Sequence, residues 1–362
     1  MIKLPVTVVL AAVMLLGLVA SGTAHAVRSP HAVPPDDIES EDSGLHLLRE
    51  AAIAGRSRKY SGTQYVTSWG ASGAASAVLE VRNIPGKGLT VRAAPSGPSE
   101  GPPGSSGSVR NAATSGSVRN ADPGTPAGGM SSPSEAMLEV LARNYRVVAA
   151  GGGFACGRPA RLVNVLRADG TVAARYWLDE AGGPVLRREL MDAEGRVVSA
   201  GAFVDLTLDP VARSAAPALA AGGPDLAELP RLAAGGWRFP RALPGRLELF
   251  AAHDTPPGYL YLGYSDGLSV VSVFIQSGML DEERLQGWHA ERRKGHTIWV
   301  RDPAGQETIW ASGGHVYTVF ADAPADMVDA AVAALPHEPV PDLWTRLGRG
   351  ASRLLSWVNP FG

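Results

Sequence analysis

The apolar positions along the chain follow two rhythms, one helical and one alternating. Leu45, Leu48, Ala52 and Ile53 fall on one side of a 3.6-residue repeat with charged residues between them, and Gly55 closes the run, which predicts a helix over 45–54. A second predicted helix, Ser134–Arg143, follows Ser132-Pro133-Ser134-Glu135, which reads as an S-x-x-E capping box with proline at the first helical position. Met137, Leu138 and Leu141 give that helix its apolar face. Elsewhere the runs are short and extended. Tyr60–Trp69, Ala75–Val81 and Leu89–Arg92 precede the second helix, and Tyr145–Ala149, Pro159–Arg167, Thr171–Asp179, Val185–Met191 and Arg196–Leu208 follow it. Asp169-Gly170, Gly182-Gly183 and Glu194-Gly195 separate the later runs, and turns at this spacing predict consecutive antiparallel hairpins. A parallel α/β sheet would need a helix between each pair of strands, and the pattern leaves no room for one.

A second block of strands is predicted at Leu247–Ala252, Tyr259–Ser265, Leu268–Gln276, His296–Arg301, Glu307–Ala311 and His315–Phe320, with tight turns at Asp266-Gly267 and Gly313-Gly314. It closes with one helix, Ala325–Leu335. Asp281-Glu282-Glu283 reads as the first turn of a further helix, where negative charge suits the dipole. Two stretches separate these blocks. Residues 95–131 are dominated by Gly, Ser, Pro and Ala and repeat GSVRNA at Gly107–Ala112 and Gly116–Ala121, which predicts a disordered insertion. Residues 209–236, rich in Ala, Gly and Pro, read as a linker. The expected organisation is a first domain over 44–208, a second over 237–336 and a tail over 337–362. The expected fold class is mainly β / α+β: a curved antiparallel half-barrel with a helical plug, then a smaller antiparallel sheet with a helix.

The chain ends add a cellular address. Lys3, an apolar run from Val6 to Ala20 and the A-x-A site Ala24-His25-Ala26 read as a secretory signal over 1–26, cut between Ala26 and Val27. The apolar run is about 15 residues, short of the roughly 20 a spanning helix needs. No cysteine stands near the cleavage site, so a lipoprotein anchor is not expected. Residues 27–43, with three prolines and an acidic stretch, read as a solvated lead-in. At the other end, Leu343, Leu347, Leu354 and Val358 approach one helical face bordered by Trp344 and Trp357, and Arg346, Arg349 and Arg353 share another. That arrangement fits an interfacial membrane helix, and equally a stripe packed on the parent domain or on a partner. The expected location is extracytoplasmic, in the periplasm or cell-envelope space.

Composition removes several classes of function. The formal net charge is −2, so no basic surface for nucleic acid is expected. The single cysteine, Cys156, cannot form an intrachain disulfide and reads as a small buried apolar residue. His253-Asp254 has no nucleophile motif before it, and His289, His296 and His315 are too widely spaced for a recognised metal site. No catalytic constellation, metal site or cofactor is expected. Tyr176 and Trp177 alternate across a strand, so at most one faces an interior, and Trp299 and Trp310 read as core.

The central strands carry a resemblance. Gly157-Arg158, the turn Asp169-Gly170, Tyr176-Trp177-Leu178-Asp179, and Leu186-Arg187-Arg188-Glu189 with Asp192 and Gly195 resemble the N-terminal domain of the MucB/RseB family of extracytoplasmic sigma-factor regulators. Trp237 to Pro244 and Tyr264-Ser265-Asp266-Gly267-Leu268 resemble that family's second domain. Residues 95–131 have no counterpart in the pattern. The resemblance implies a lipoprotein-carrier-like sheet with an apolar groove. It also implies a non-enzymatic regulator that holds the outer segment of a membrane anti-sigma factor and responds to a lipid or acylated ligand. The alternative it leaves is a lipid or lipoprotein carrier using the same groove.

Overall fold

The computed structural model describes residues 41–70, 73–93, 118–119, 130, 132–209, 226–235, 237, 239–255, 259–293, 295–301 and 307–338. The expected signal, its cleavage site at Ala26 and Val27, and the tail residues Leu343, Trp344, Leu347, Leu354 and Trp357 lie outside them.

The first sheet has nine antiparallel strands: β1 (Tyr60–Gly70), β2 (Gly73–Ile84), β3 (Gly88–Ala93), β4 (Val118–Arg119), β5 (Arg146–Ala155), β6 (Arg158–Leu166), β7 (Val172–Asp179), β8 (Val185–Met191) and β9 (Val197–Leu208). Their order is β4-β3-β2-β1-β9-β8-β7-β6-β5. The meander β5–β9 is thus joined to the hairpins β1–β3 by one non-sequential pairing, Tyr60–Ser68 of β1 against Ser199–Leu208 of β9. Helix α1 (Glu41–Ser57) touches β2, β5, β6, β7 and β8. In a flat sheet β2 and β5 would stand six strand spacings, roughly 29 Å, apart, whereas a helix is only about 10–12 Å across. The sheet must therefore curl around α1. Gly44 makes the fit possible, because a Cβ there would lie 2.6 Å from the Val147 carbonyl oxygen of β5.

Helix α2 (Glu135–Asn144) adds Leu138 and Leu141 to the same interior. Its cap is Ser134, whose hydroxyl accepts from the Met137 N–H at 3.2 Å. The capping box expected from Ser132 is thus two residues out of place. Glu135 does not close a box; it pairs with Arg49 of α1 at 2.8 Å and ties the two helices together. The buried interior includes Leu48 of α1, Leu138 and Leu141 of α2, and Val163, Val165 and Tyr176 of the sheet. Within the segment expected to be a disordered insertion, Val118–Arg119 pair with Thr90 and Val91 of β3, and Met130 is buried in the same core. The Met130 N–H donates to the buried Gln64 Oε1 at 3.0 Å.

The second sheet has eight antiparallel strands: β10 (Ala242–Leu243), β11 (Leu247–Thr255), β12 (Tyr259–Ser265), β13 (Val270–Ser277), β14 (Trp288–Arg293), β15 (His296–Arg301), β16 (Glu307–Ser312) and β17 (His315–Asp322), in the order β10-β11-β12-β13-β17-β16-β15-β14. Side chains alternate along β12: Leu260, Leu262 and Tyr264 enter the core beneath helix α4 (Ala325–Ala334), while Tyr261 joins a separate cluster on the other face. Two expectations change here. The expected linker holds helix α3 (Leu229–Ala234), whose Leu229 and Leu232 are buried in this core. The acidic triplet starts no α-helix; Glu282–Arg284 form a single 3-10 turn, and the chain enters β14.

Candidate functional site at the seam of the two sheets

The loop joining β12 to β13 carries the densest set of polar contacts between the two sheets. Asp266 has no exposed surface. Its Oδ1 accepts the N–H groups of Leu268 and Ser269 at 2.9 and 2.6 Å, and Ser265 Oγ accepts the Gly267 N–H at 2.9 Å, so the loop is held in shape by its own side chains. Its other oxygen, Oδ2, accepts the Tyr145 hydroxyl at 2.6 Å, and its carbonyl accepts Asn144 Nδ2 at 3.0 Å. A buried carboxylate is costly unless its lone pairs are used, and these bonds use them. Burial, and then Asp266, push the Tyr145 phenol above its ordinary pKa, so the phenol stays a donor.

Gly267 and Leu268 complete the dock. At Gly267, φ is +98° and a Cβ would lie 2.4 Å from the Leu141 backbone, so only glycine brings the loop this close to α2. Leu268 is 3% exposed and belongs to the apolar core of the first sheet. A side chain of the second sheet therefore fills space inside the first.

A salt bridge closes the same seam. Arg188 of β8 donates to Asp322 Oδ2 of β17 at 2.7 Å and to the Leu268 carbonyl at 2.6 Å. Desolvation works to lower the pKa of Arg188, but Asp322 and the neighbouring Tyr176 outweigh it, and the net shift is upward. Arg246 lies 5.1 Å over the Tyr145 ring and donates to the Asn144 carbonyl at 2.8 Å. Arg143 and Glu248 pair at 2.6 Å nearer the rim. Beside these polar contacts, Met137 of α2 packs with Phe250, Ala251, Tyr261 and Val270 of the second sheet. Helix α2 thus has one side in each core.

The remaining motif residues are brackets of the first sheet. Arg158 grips Asp179 through both nitrogens, at 2.8 and 3.1 Å. Trp177 lies under the Arg187 guanidinium at 4.7 Å on the side of β7 opposite Tyr176, which is in the core. Asp192 accepts from Arg196 through backbone and side chain, closing the β8–β9 turn.

Sequence reasoning missed the seam, although its residues had been singled out as a pattern. No local signal marked them: Asp266 lies in the loop between β12 and β13, and Arg188 stands between two other charged residues of β8, Arg187 and Glu189. Other expectations fall elsewhere. Cys156 is half-buried, not buried, and sits with φ +54° in the β5–β6 turn, where burial and nearby Asp205 raise its thiol pKa. Trp310 is core, stacked on Tyr317 and His337, while Trp299 is half-buried. The His253 ring lies tilted against Tyr261, with centroids 4.8 Å apart, and His315 lies tilted against Trp237 at 5.4 Å. Among the described residues no group of three or more His, Cys, Asp or Glu side chains is placed to hold a metal ion. None of the described helices is long and apolar enough to cross a membrane.

Residues 115–221 match the family model for the MucB/RseB N-terminal domain. The match starts inside the stretch expected to have no counterpart and takes in α2 and β5–β9. Among solved structures, a crystal structure of MucB is 18% identical with a TM-score of 0.42, covering 82% of this chain and 98% of that one. A Pseudomonas aeruginosa MucA/MucB complex is 18% identical with a TM-score of 0.38, covering 83% of this chain and all of the other. A putative outer membrane lipoprotein-sorting protein domain from Vibrio parahaemolyticus is 13% identical with a TM-score of 0.21, covering 47% of this chain and 94% of that one. No curated protein matches the chain by sequence.

Proposed function

We propose that this chain, whose residues 115–221 match the MucB/RseB N-terminal domain model, is a non-enzymatic regulator in the cell envelope that binds the outer segment of a membrane anti-sigma factor. The family match carries the reading. The finer part, a response to a lipid or acylated ligand, is what the family resemblance implies, and the first sheet's interior is aliphatic, with Leu48, Leu138 and Val163 wholly buried there. A regulator of this kind works by a population shift, with ligand and protein partner preferring different arrangements of the molecule. A seam built from a few polar bonds around one inserted leucine is suited to that role. The carrier reading uses the same interior but needs it free for cargo.

The test is a pull-down of the mature protein with the outer segments of the host's anti-sigma factors. Retention of one of them is expected, and retention of none would overturn the reading. Cell fractionation locating the chain in the cytoplasm would overturn the envelope assignment.

A further inference from the structure

Leu268 is the one residue of the second sheet that belongs to the described apolar core of the first. It is delivered by a loop that is stiff by construction, with Asp266 and Ser265 bonding its backbone. The apolar core of the first sheet thus already holds a branched alkyl group from the loop between β12 and β13. The carbonyl of that same leucine accepts from Arg188, the residue that pairs with Asp322. Moving this loop away from α2 to withdraw the side chain therefore breaks the bonds from Arg188 and Tyr145, and breaking those bonds frees the loop.

We infer that Leu268 is an internal stopper: an alkyl-chain ligand enters the first sheet's interior by displacing it, so ligand binding and docking of the second sheet exclude one another. This rests on the lipid reading above and adds the site of entry, the residue displaced and the sign of the coupling. The linkage is reciprocal, because whatever holds the seam shut weakens the ligand, and the ligand opens the seam.

The experiment uses the full mature chain with cis-parinaric acid as the probe, fluorescence for affinity and hydrogen exchange for the seam. In the unmodified protein the probe should speed exchange at the Leu268 and Ser269 amides, which Asp266 holds. Leu268→Ala removes the stopper, and the probe should bind about tenfold tighter or more. Arg188→Met keeps the leucine but loosens the latch, and Gly267→Ala wedges the loop off α2. Both should also tighten binding, so the inference does not depend on one variant folding. Equal affinity in all four proteins, with amide exchange unchanged by the probe, would overturn the stopper and leave the lipid reading standing. Absence of binding in all four, each shown folded by circular dichroism, would remove the lipid reading and the stopper together.

Discussion

The Tyr145 hydroxyl donates to Asp266 Oδ2 at 2.6 Å, joining the first residue after α2 to the tip of a hairpin in the other sheet. Tyr145→Phe deletes the donor and leaves a carboxylate oxygen buried without it. The expected cost is about 1–3 kcal/mol, because the desolvation of the acceptor is no longer offset. Urea unfolding of the two proteins checks it, and equal midpoints would show that the bond contributes nothing.

Arg188 and Asp322 keep 18% and 25% of their side-chain surface exposed, so their pairing is only partly screened by water. Breaking it from one side, with Arg188→Met or Asp322→Leu, should cost toward the lower end of the roughly 3–5 kcal/mol seen for buried pairs. Replacing both should cost less than the sum of the two, since neither charge is then stranded. A double-mutant cycle from chemical unfolding measures that coupling, and strict additivity would contradict the pairing described.

Among the described residues, Ser134 is the side chain that caps the N-terminus of α2, through its bond to the Met137 N–H. Ser134→Ala should lower stability by about 1 kcal/mol, and Ser132→Ala should not reproduce that loss by the same route. Comparison of thermal midpoints separates the two positions.

Asp192 is held below its ordinary pKa of 3.8: burial raises it, but the backbone and side-chain bonds from Arg196 win. A carboxylate with a depressed folded-state pKa stabilises the fold above the unfolded value and loses that contribution as pH falls through the folded one. Asp192→Asn should therefore reduce stability at neutral pH and flatten its decline below about pH 4. Unfolding midpoints collected from pH 7 down to pH 2 test the slope.

Cys156 has its thiol pushed to higher pKa, chiefly by burial. Since the thiolate is the reactive form, alkylation by iodoacetamide at pH 7 should run slower than for a free cysteine and quicken at alkaline pH. Labelling as fast as a model thiol at neutral pH would contradict the environment described.

Much of the local architecture was legible in the chain. The turns Asp169-Gly170, Gly182-Gly183 and Glu194-Gly195 correctly divide β6 to β9 into consecutive hairpins, because a tight turn imposes its backbone conformation on its neighbours alone. Val185–Met191 and Tyr259–Ser265 match the expected strands residue for residue. The misses have local reasons as well. The S-x-x-E spacing pointed to Ser132, but Ser134 is the cap and Glu135 pairs instead with Arg49 of α1. Trp288–Arg293 alternates too weakly to announce a strand, and it becomes one by pairing with β15 at the edge of the sheet.

The sequence by itself determined the mainly antiparallel class, the two blocks of strands, the helices before and after β1–β3, and a pattern running from Gly157 to Leu268. These follow from periodicity and turn chemistry, which act over a few residues. Only the tertiary structure decided that β1 joins β9. It alone set how far the first sheet curls around α1, and showed that the Tyr264–Leu268 pattern is a dock and not a hairpin alone. Those features rest on residues as far apart as Tyr145 and Asp266, or Arg188 and Asp322. Each pair gains its energy from being buried together, and a one-dimensional pattern carries no record of which distant surfaces are buried against each other.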